Sequence, residues 1–262
     1  MSMPKVFEEL KMETEPSPTE LPRLLLATDG PQKSGKTHFA LTAPGPIGLI
    51  NFDLGLEGMI DKFYAKNKTI GVKTIRIPEK LTQDNAKECY KEFKTTYDKL
   101  LASPQVRTVV VDTGTDLWDI MRMASLGALE KIPPMKYKSV NQDYKQLIRR
   151  AYDSPGKNLI LIHKISELYK SMGKTSSNGN DVQEWDGVSM KRDGFKQTGY
   201  LIQANLSHRW DKVKGQSITE VLDCRMDMAL AGQEFPDITF VDLAEMVFME
   251  HDLAADYWED WA

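Results

Sequence analysis

Apolar residues in this chain fall into short unbroken runs, separated by stretches in which they recur every three or four positions. The runs are Leu24-Leu25-Leu26-Ala27, Ile47 to Phe52, Val106 to Val111 and Asn158 to Ile162, with a shorter one at Thr74 to Ile77. Runs of this length, rich in Val, Ile and Leu and bounded by turn residues, predict strands buried on both faces. Between them, Lys36 to Thr42 reads as a short helix that Pro44 must end. Thr82 can cap a helix to about Leu101, since Ala86, Cys89, Tyr90, Phe93, Tyr97, Leu100 and Leu101 repeat at helical spacing. Two more helices are expected, over Leu117 to Leu129, before Pro133-Pro134, and over Asn141 to Tyr152. Strand-like segments resume at Gly199 to Arg209, Ser217 to Asp223 and Ile238 to Val241, after a Gly-, Ser-, Asn- and Lys-rich stretch, 170–194, that shows no period and reads as a long loop.

Buried strands alternating with helices predict an α/β fold: one domain, a mostly parallel sheet and helices on both faces. Such sheets bind ligands beyond the carboxyl ends of their strands. The expected division is a flexible arm over 1–20, marked by Pro4, Pro16 and Pro18, a core over 21–241 and an acidic, aromatic tail over 242–262.

With 262 residues, 41% hydrophobic and 27% charged, the composition is that of a globular protein with one main domain. No apolar run approaches the roughly 20 residues of a membrane span, and no basic start precedes an apolar signal core, so the expectation is a cytoplasmic protein without a membrane partner. Cys89 and Cys224 lack metal-ligand spacing and read as reduced, structural thiols. The net charge of −4 is unevenly spread. Asp242, Glu245, Glu250, Asp252, Asp256, Glu259 and Asp260 face no Lys or Arg in the tail, which leaves the rest of the chain mildly basic.

The candidate chemistry begins where the first strand ends. Gly30-Pro31-Gln32-Lys33-Ser34-Gly35-Lys36-Thr37 fits GxxxxGK[ST] at every fixed position, between a strand and a helix. Small residues let successive backbone N–H groups converge on a phosphate, Lys36 suits the β- and γ-phosphates, and the Thr37 hydroxyl suits Mg²⁺. His38 follows directly and completes the expected cofactor-binding set for ATP with Mg²⁺. Val109-Val110-Val111-Asp112-Thr113 is a buried strand ending in an acid, which makes Asp112 the second expected metal anchor; either Asp112 or Thr113 also suits a helix cap. Activation of water needs a carboxylate at a neighbouring strand end, for which Asp53 is the first candidate and Glu57 the alternative. His163 ends the following strand, either as a γ-phosphate sensor or as a satisfied buried histidine. The expected catalytic set is thus Lys36, Asp53, Asp112 and His163.

The order of these elements resembles the RecA-type recombinase core, and in particular the small phage-encoded RecA-core ATPases of single-strand annealing recombination. The resemblance covers about 21–225 and rests on GPQKSGKT, INFDLGLEG, TVVVDTGT, NLILIHK and the polar stretch followed by KRDGFK. It implies a RecA-like P-loop fold, water activation at Asp53, a sensor at His163, and single-stranded DNA bound by two loops, here 131–140 and 166–194. It also implies homo-oligomers, as a ring or filament, and a single-strand-binding or replication protein as partner. Two positions depart from RecA proper, which carries Glu in place of Asp53 and Gln in place of His163; the shorter Asp53 predicts slow hydrolysis or a shifted water. Neither end shows an accessory DNA-binding domain, in line with the minimal phage type.

Independently of that resemblance, 131–150 holds six basic residues against Asp143, with Tyr137 and Tyr144 interleaved, a pattern that serves either as a stacking and phosphate surface or as a solvated helix face. Lys136, Lys138, Lys191, Arg192 and Lys196 are the expected nucleic-acid contacts, with Lys170, Lys174, Tyr169 and Trp185 nearby in the long loop. Arg192 or Lys196 alternatively suits the γ-phosphate of a neighbouring subunit. Val6 to Leu10 reads as a flexible segment or an oligomerisation peptide, and the tail as a solubilising segment or one that docks on a basic groove. Rival readings are a P-loop motor or loader in packaging, partition or replication, and a nucleotide-gated adaptor without catalysis.

Overall fold

The computed structural model describes residues 22–53, 55–56, 58–128, 133–175, 181–251 and 253–260, with 134, 169–175 and 181–188 described by backbone alone. The strands are β1 (Leu25–Asp29), β2 (Ile47–Asn51), β3 (Ile70–Thr74), β4 (Thr108–Asp112), β5 (Asn158–Ile162), β6 (Ile165–Thr175), β7 (Asp181–Arg192), β8 (Ala204–Asp211), β9 (Gln216–Cys224) and β10 (Glu234–Pro236). The helices are α1 (Lys36–Leu41), α2 (Ile60–Tyr64), α3 (Gln83–Ala102), α4 (Gly114–Leu126), α5 (Tyr137–Tyr152), α6 (Thr198–Leu201) and α7 (Phe240–Val247).

Eight strands form one sheet in the order β10-β9-β8-β1-β5-β4-β2-β3, parallel from β8 through β3 and antiparallel at β9 and β10. This is the predicted α/β architecture. Alternation along each buried strand sends every second side chain to opposite faces. Leu24, Leu26, Leu49, Val110, Ile160 and Leu206 pack with Phe39 of α1 and with Phe240, Leu243 and Val247 of α7. Leu25, Ala27, Ile50, Val109, Val111 and Leu161 pack with the inner stripes of α3, α4 and α5. Two apolar layers explain why the strands read as continuous runs. The cap expected at Thr82 is present, as a reciprocal box with Asn85.

Several expectations are corrected. The stretch 170–194 is no irregular loop: β6 and β7 pair antiparallel, from Ile165 opposite Arg192 to Thr175 opposite Asp181. They form a separate two-stranded sheet outside the main one, so no core-facing period marks their sequence. Ile238 to Val241 is not a strand. Thr239 caps α7 and shares a capping box with Asp242, while Phe240, Leu243, Ala244 and Val247 bury one helical face. The acidic segment after 242 therefore continues the core, with Phe248 and Trp258 at 4% and 6% exposure. Asp242, Glu245, Glu250, Asp256, Glu259 and Asp260 are exposed while Leu243, Ala244, Val247, Phe248 and Trp258 are buried, and net charge concealed that pattern.

The third strand lies at 70–74 instead of 74–77, since at the sheet edge only Ile70 is buried and the apolar Ile75 packs beyond the strand end. The segment from Gly199 begins with the turn of α6 before β8, and the helices expected from Leu117 and Asn141 begin at Gly114 and Tyr137. Val6 to Leu10, Glu57, Lys131 and the side chains of Tyr169, Lys170, Lys174 and Trp185 lie outside the described residues.

Candidate nucleotide site

Strand β1 delivers the chain at Asp29, and Gly30 to Gly35 turn it into α1. Gly30 has φ 143° and Gly35 φ 102°, values that side chains rarely adopt. The crowding is also steric: a Cβ at Gly30 would lie 2.2 Å from the His208 carbonyl oxygen, and one at Gly35 would lie 2.6 Å from Ser217 Oγ. His208 and Ser217 belong to β8 and β9, so the neighbouring hairpin forms the seat of the loop. Ser217 Oγ donates to the Ser34 carbonyl at 2.7 Å, which fixes the loop from that side. Pro31, Gln32, Lys33 and His38 are exposed around the loop, while Ser34 is buried beneath it.

Lys36 Nζ donates to the carbonyl oxygens of Gly30 at 2.8 Å and Pro31 at 2.5 Å, which holds the ammonium over the loop. Burial lowers its pKa, and the carboxylates of Asp112, Asp29 and Asp53 oppose that shift. Thr37 Oγ1 donates to Asp112 Oδ2 at 2.8 Å. Asp112 is 4% exposed, and its pKa is pushed up to about 6 by burial, with the Thr37 hydrogen bond acting against the shift and Asp53 adding to it. Of the two candidates for the cap of α4, Thr113 serves: its Oγ1 accepts from Asp116 N. Asp53 is exposed just past β2, where Asn51 Oδ1 accepts from its backbone N–H at 3.1 Å. The structure thus brings Lys36, Thr37, Asp112 and Asp53 to one end of the sheet.

His163 is fully buried at the end of β5. Its Nδ1 lies 3.0 Å from the Asp193 carbonyl oxygen. A carbonyl only accepts, so Nδ1 carries the proton and Nε2 keeps a lone pair. Nε2 is buried without a protein partner. Burial, followed by the field of Arg192, pushes the ring's pKa down to about 3. In this tautomer Nε2 accepts hydrogen bonds and cannot donate one to a phosphate oxygen. The ring is tightly housed, with its Cε1 2.7 Å from where a Cβ on Gly114 would stand.

Among the expected nucleic-acid contacts, Lys136, Lys138, Lys191 and Lys196 are exposed. Arg192 is not: its side chain is 15% exposed and its Nε donates to Asp29 Oδ2 at 2.9 Å. Lys191, Arg192 and Lys196 border one pocket of about 410 Å³ beside Asp29 and Asn205. Tyr144 cannot stack on a base. It is 1% exposed and packs against Phe195 and Trp118. Sequence reasoning missed Asp29, Asn205, His208 and Ser217. They carry no local motif, and only the order of strands brings His208 and Ser217 to the loop.

A glycine cradle, a lysine over it and a hydrogen bond from Thr37 in the helix that follows to Asp112 at the end of β4 define a P-loop nucleotide-binding protein. Residues 24–189 match the AAA_24 family, described as an AAA domain, and the chain belongs to that family. Among solved structures, "Crystal structure of the RadB recombinase" aligns with 83% of this chain and 87% of that chain, at 13% identity and a TM-score of 0.48. No curated protein matches the sequence. Among the described residues, no helix is long and apolar enough to cross a membrane.

Proposed function

We propose that the chain binds and hydrolyses Mg²⁺-ATP, and couples that cycle to single-stranded DNA in recombination, annealing or repair of the RecA type, assembling with copies of itself. The observation that carries the nucleotide part is the Thr37–Asp112 hydrogen bond beneath the Lys36 ammonium. A hydroxyl and a carboxylate are the hard oxygen donors that Mg²⁺ takes, and here the two are within hydrogen-bond distance of each other beside the Lys36 ammonium. Thr37 and Asp112 would hold the ion, which when bound neutralises charge on the β- and γ-phosphates. The glycine loop cradles the phosphates, Lys36 leaves its carbonyl partners to meet them, and the Asp53 carboxylate accepts the proton of the attacking water.

The DNA part is supported by exposed cations. Lys136 and Lys138 border the start of α5, and Lys191 and Lys196 flank the return of the β6–β7 hairpin. Anisotropy titrations with single- and double-stranded oligonucleotides, with and without a non-hydrolysable ATP analogue, test it. Salt-sensitive binding that favours the single strand and strengthens with nucleotide is expected; equal or absent binding of both overturns the DNA part. Duplex preference would favour a motor or loader instead.

A further inference from the structure

We propose that Arg192 is a positioning residue of the nucleotide site, whose guanidinium masks the Asp29 carboxylate so that the Lys36 ammonium stays available to a bound polyphosphate. The inference rests on the nucleotide reading above and concerns a contact that closes the β6–β7 hairpin onto β1. Arg192 ends β7, and all three of its guanidinium nitrogens are engaged: Nε with Asp29 Oδ2 at 2.9 Å, Nη1 with Asn205 Oδ1 at 2.5 Å, and Nη2 with the Ala27 carbonyl at 3.4 Å. Asn205 is itself oriented. Its amide nitrogen donates to Asp223 Oδ1 at 2.7 Å and to the Gly199 carbonyl at 3.2 Å, which leaves its oxygen for Arg192.

Asp29 is the residue before Gly30, and Lys36 Nζ sits 2.8 Å from the Gly30 carbonyl. The ammonium therefore feels the charge of three carboxylates, those of Asp112, Asp29 and Asp53. Thr37 bonds to the first, the third lies exposed past β2, and Arg192 pairs with the second. The Asp29 side chain is only 8% exposed, so solvent does little to offset its charge. Without Arg192 that charge would compete with phosphate for Lys36 and repel the incoming anion. A contact from Arg192 to DNA or to a neighbour's phosphate would require the guanidinium to abandon Asp29 and Asn205, which would weaken the site it is meant to serve.

The test titrates a fluorescent, non-hydrolysable ATP analogue with Mg²⁺ into the wild type and the Arg192→Met, Arg192→Lys, Asp29→Asn and Asp29→Asn/Arg192→Met proteins, with a thermal melt of each. Arg192→Met is expected to weaken binding on the order of tenfold. Arg192→Lys keeps the charge and most of the affinity. The double variant returns to within about twofold of Asp29→Asn, because no charge remains to be masked. Should Arg192→Met not fold, the comparison of Asp29→Asn with the double variant still decides. A double variant as weak as Arg192→Met, or tenfold weaker than Asp29→Asn, overturns the proposal in favour of a structural role. Wild-type affinity with lost turnover in Arg192→Met also overturns it, and places the guanidinium on a reacting group. Failure of the wild type to bind any nucleotide would remove the nucleotide reading itself.

Discussion

The hydroxyl of Thr37 donates to the carboxylate of Asp112 across 2.8 Å, joining the first turn of α1 to the end of β4. The two residues are 75 positions apart, and the parallel sheet brings them together by placing β5 alone between their strands. Each is held by its own element: Thr37 by the helix that the glycine loop starts, Asp112 by pairing in register with Asn51 and Ile162. Their bond holds hydroxyl and carboxylate side by side, the arrangement in which, on the proposed function, the two would share one cation.

Asp112 carries a stability cost as the counterpart of this role. Its folded pKa, about 6, lies above the ordinary carboxylate value. Its contribution therefore favours the fold at low pH and is lost as pH rises through about 6. At neutral pH the buried charge is a penalty of up to about 2–3 kcal/mol. Asp112→Asn is expected to raise the melting temperature of the ligand-free protein and to abolish the further rise that Mg²⁺-ATP gives the wild type. Differential scanning fluorimetry with and without nucleotide checks both signs.

Asp53 is expected to act on water and not on binding. Asp53→Asn should lower single-turnover hydrolysis by about 10²- to 10⁴-fold while the affinity for an ATP analogue stays within about threefold. Glu57→Gln is the parallel variant. A loss confined to Glu57→Gln would move the base by one turn of chain.

His163 and His208 are both buried, with pKa values pushed down to about 3, chiefly by burial. The sign is that of groups neutral in the fold and protonated once unfolded. Their contribution is complete above about pH 6.5 and is lost as pH falls. Asp112 works in the opposite direction between the ordinary carboxylate value and about 6. Urea midpoints measured from about pH 6 to pH 4 should show stability falling with acid. Replacing either histidine by Gln should flatten the slope by about 1.4 kcal/mol per pH unit. An unchanged slope in both variants would mean that the rings are charged in the fold.

The C-terminal segment is expected to hold the body together. Trp258 packs on Phe240, Phe248 and Tyr257, Arg107 lies over the Tyr257 ring at 4.7 Å, and Asp260 accepts from the Gly45 backbone and pairs with Lys68. Trp258→Ala should cost about 3–5 kcal/mol by chemical denaturation. A cost under about 1 kcal/mol would return the segment to the status of a solvated tail.

The legibility of the chain follows from how local each signal is. The loop Gly30 to Thr37, the β4 run ending at Asp112 and the Thr82 cap are spelled by neighbouring residues, and the sequence predicted each at its observed place. Ser217 and His208 meet the loop from strands more than 170 residues away, and nothing near them signals a phosphate site. The strands β6 and β7 form a two-stranded sheet apart from the main one, and their sequence shows none of the apolar runs that marked the others. Arg192 read as a free cation because a charge pattern cannot show that Asp29 lies opposite. In the tail, the spacing of Phe240, Leu243 and Val247 was present but hidden beneath an acidic composition.

The central claim is that Gly30 to Thr37 binds a triphosphate which Asp53 and Asp112 help to cleave. Its most direct test is steady-state release of phosphate from ATP by the wild type and by Lys36→Ala, with Mg²⁺ or EDTA and with or without single-stranded DNA. Turnover that requires Mg²⁺, falls at least about tenfold in Lys36→Ala and rises with single-stranded DNA is the predicted result. Turnover equal in Lys36→Ala, or equal in EDTA, would contradict it.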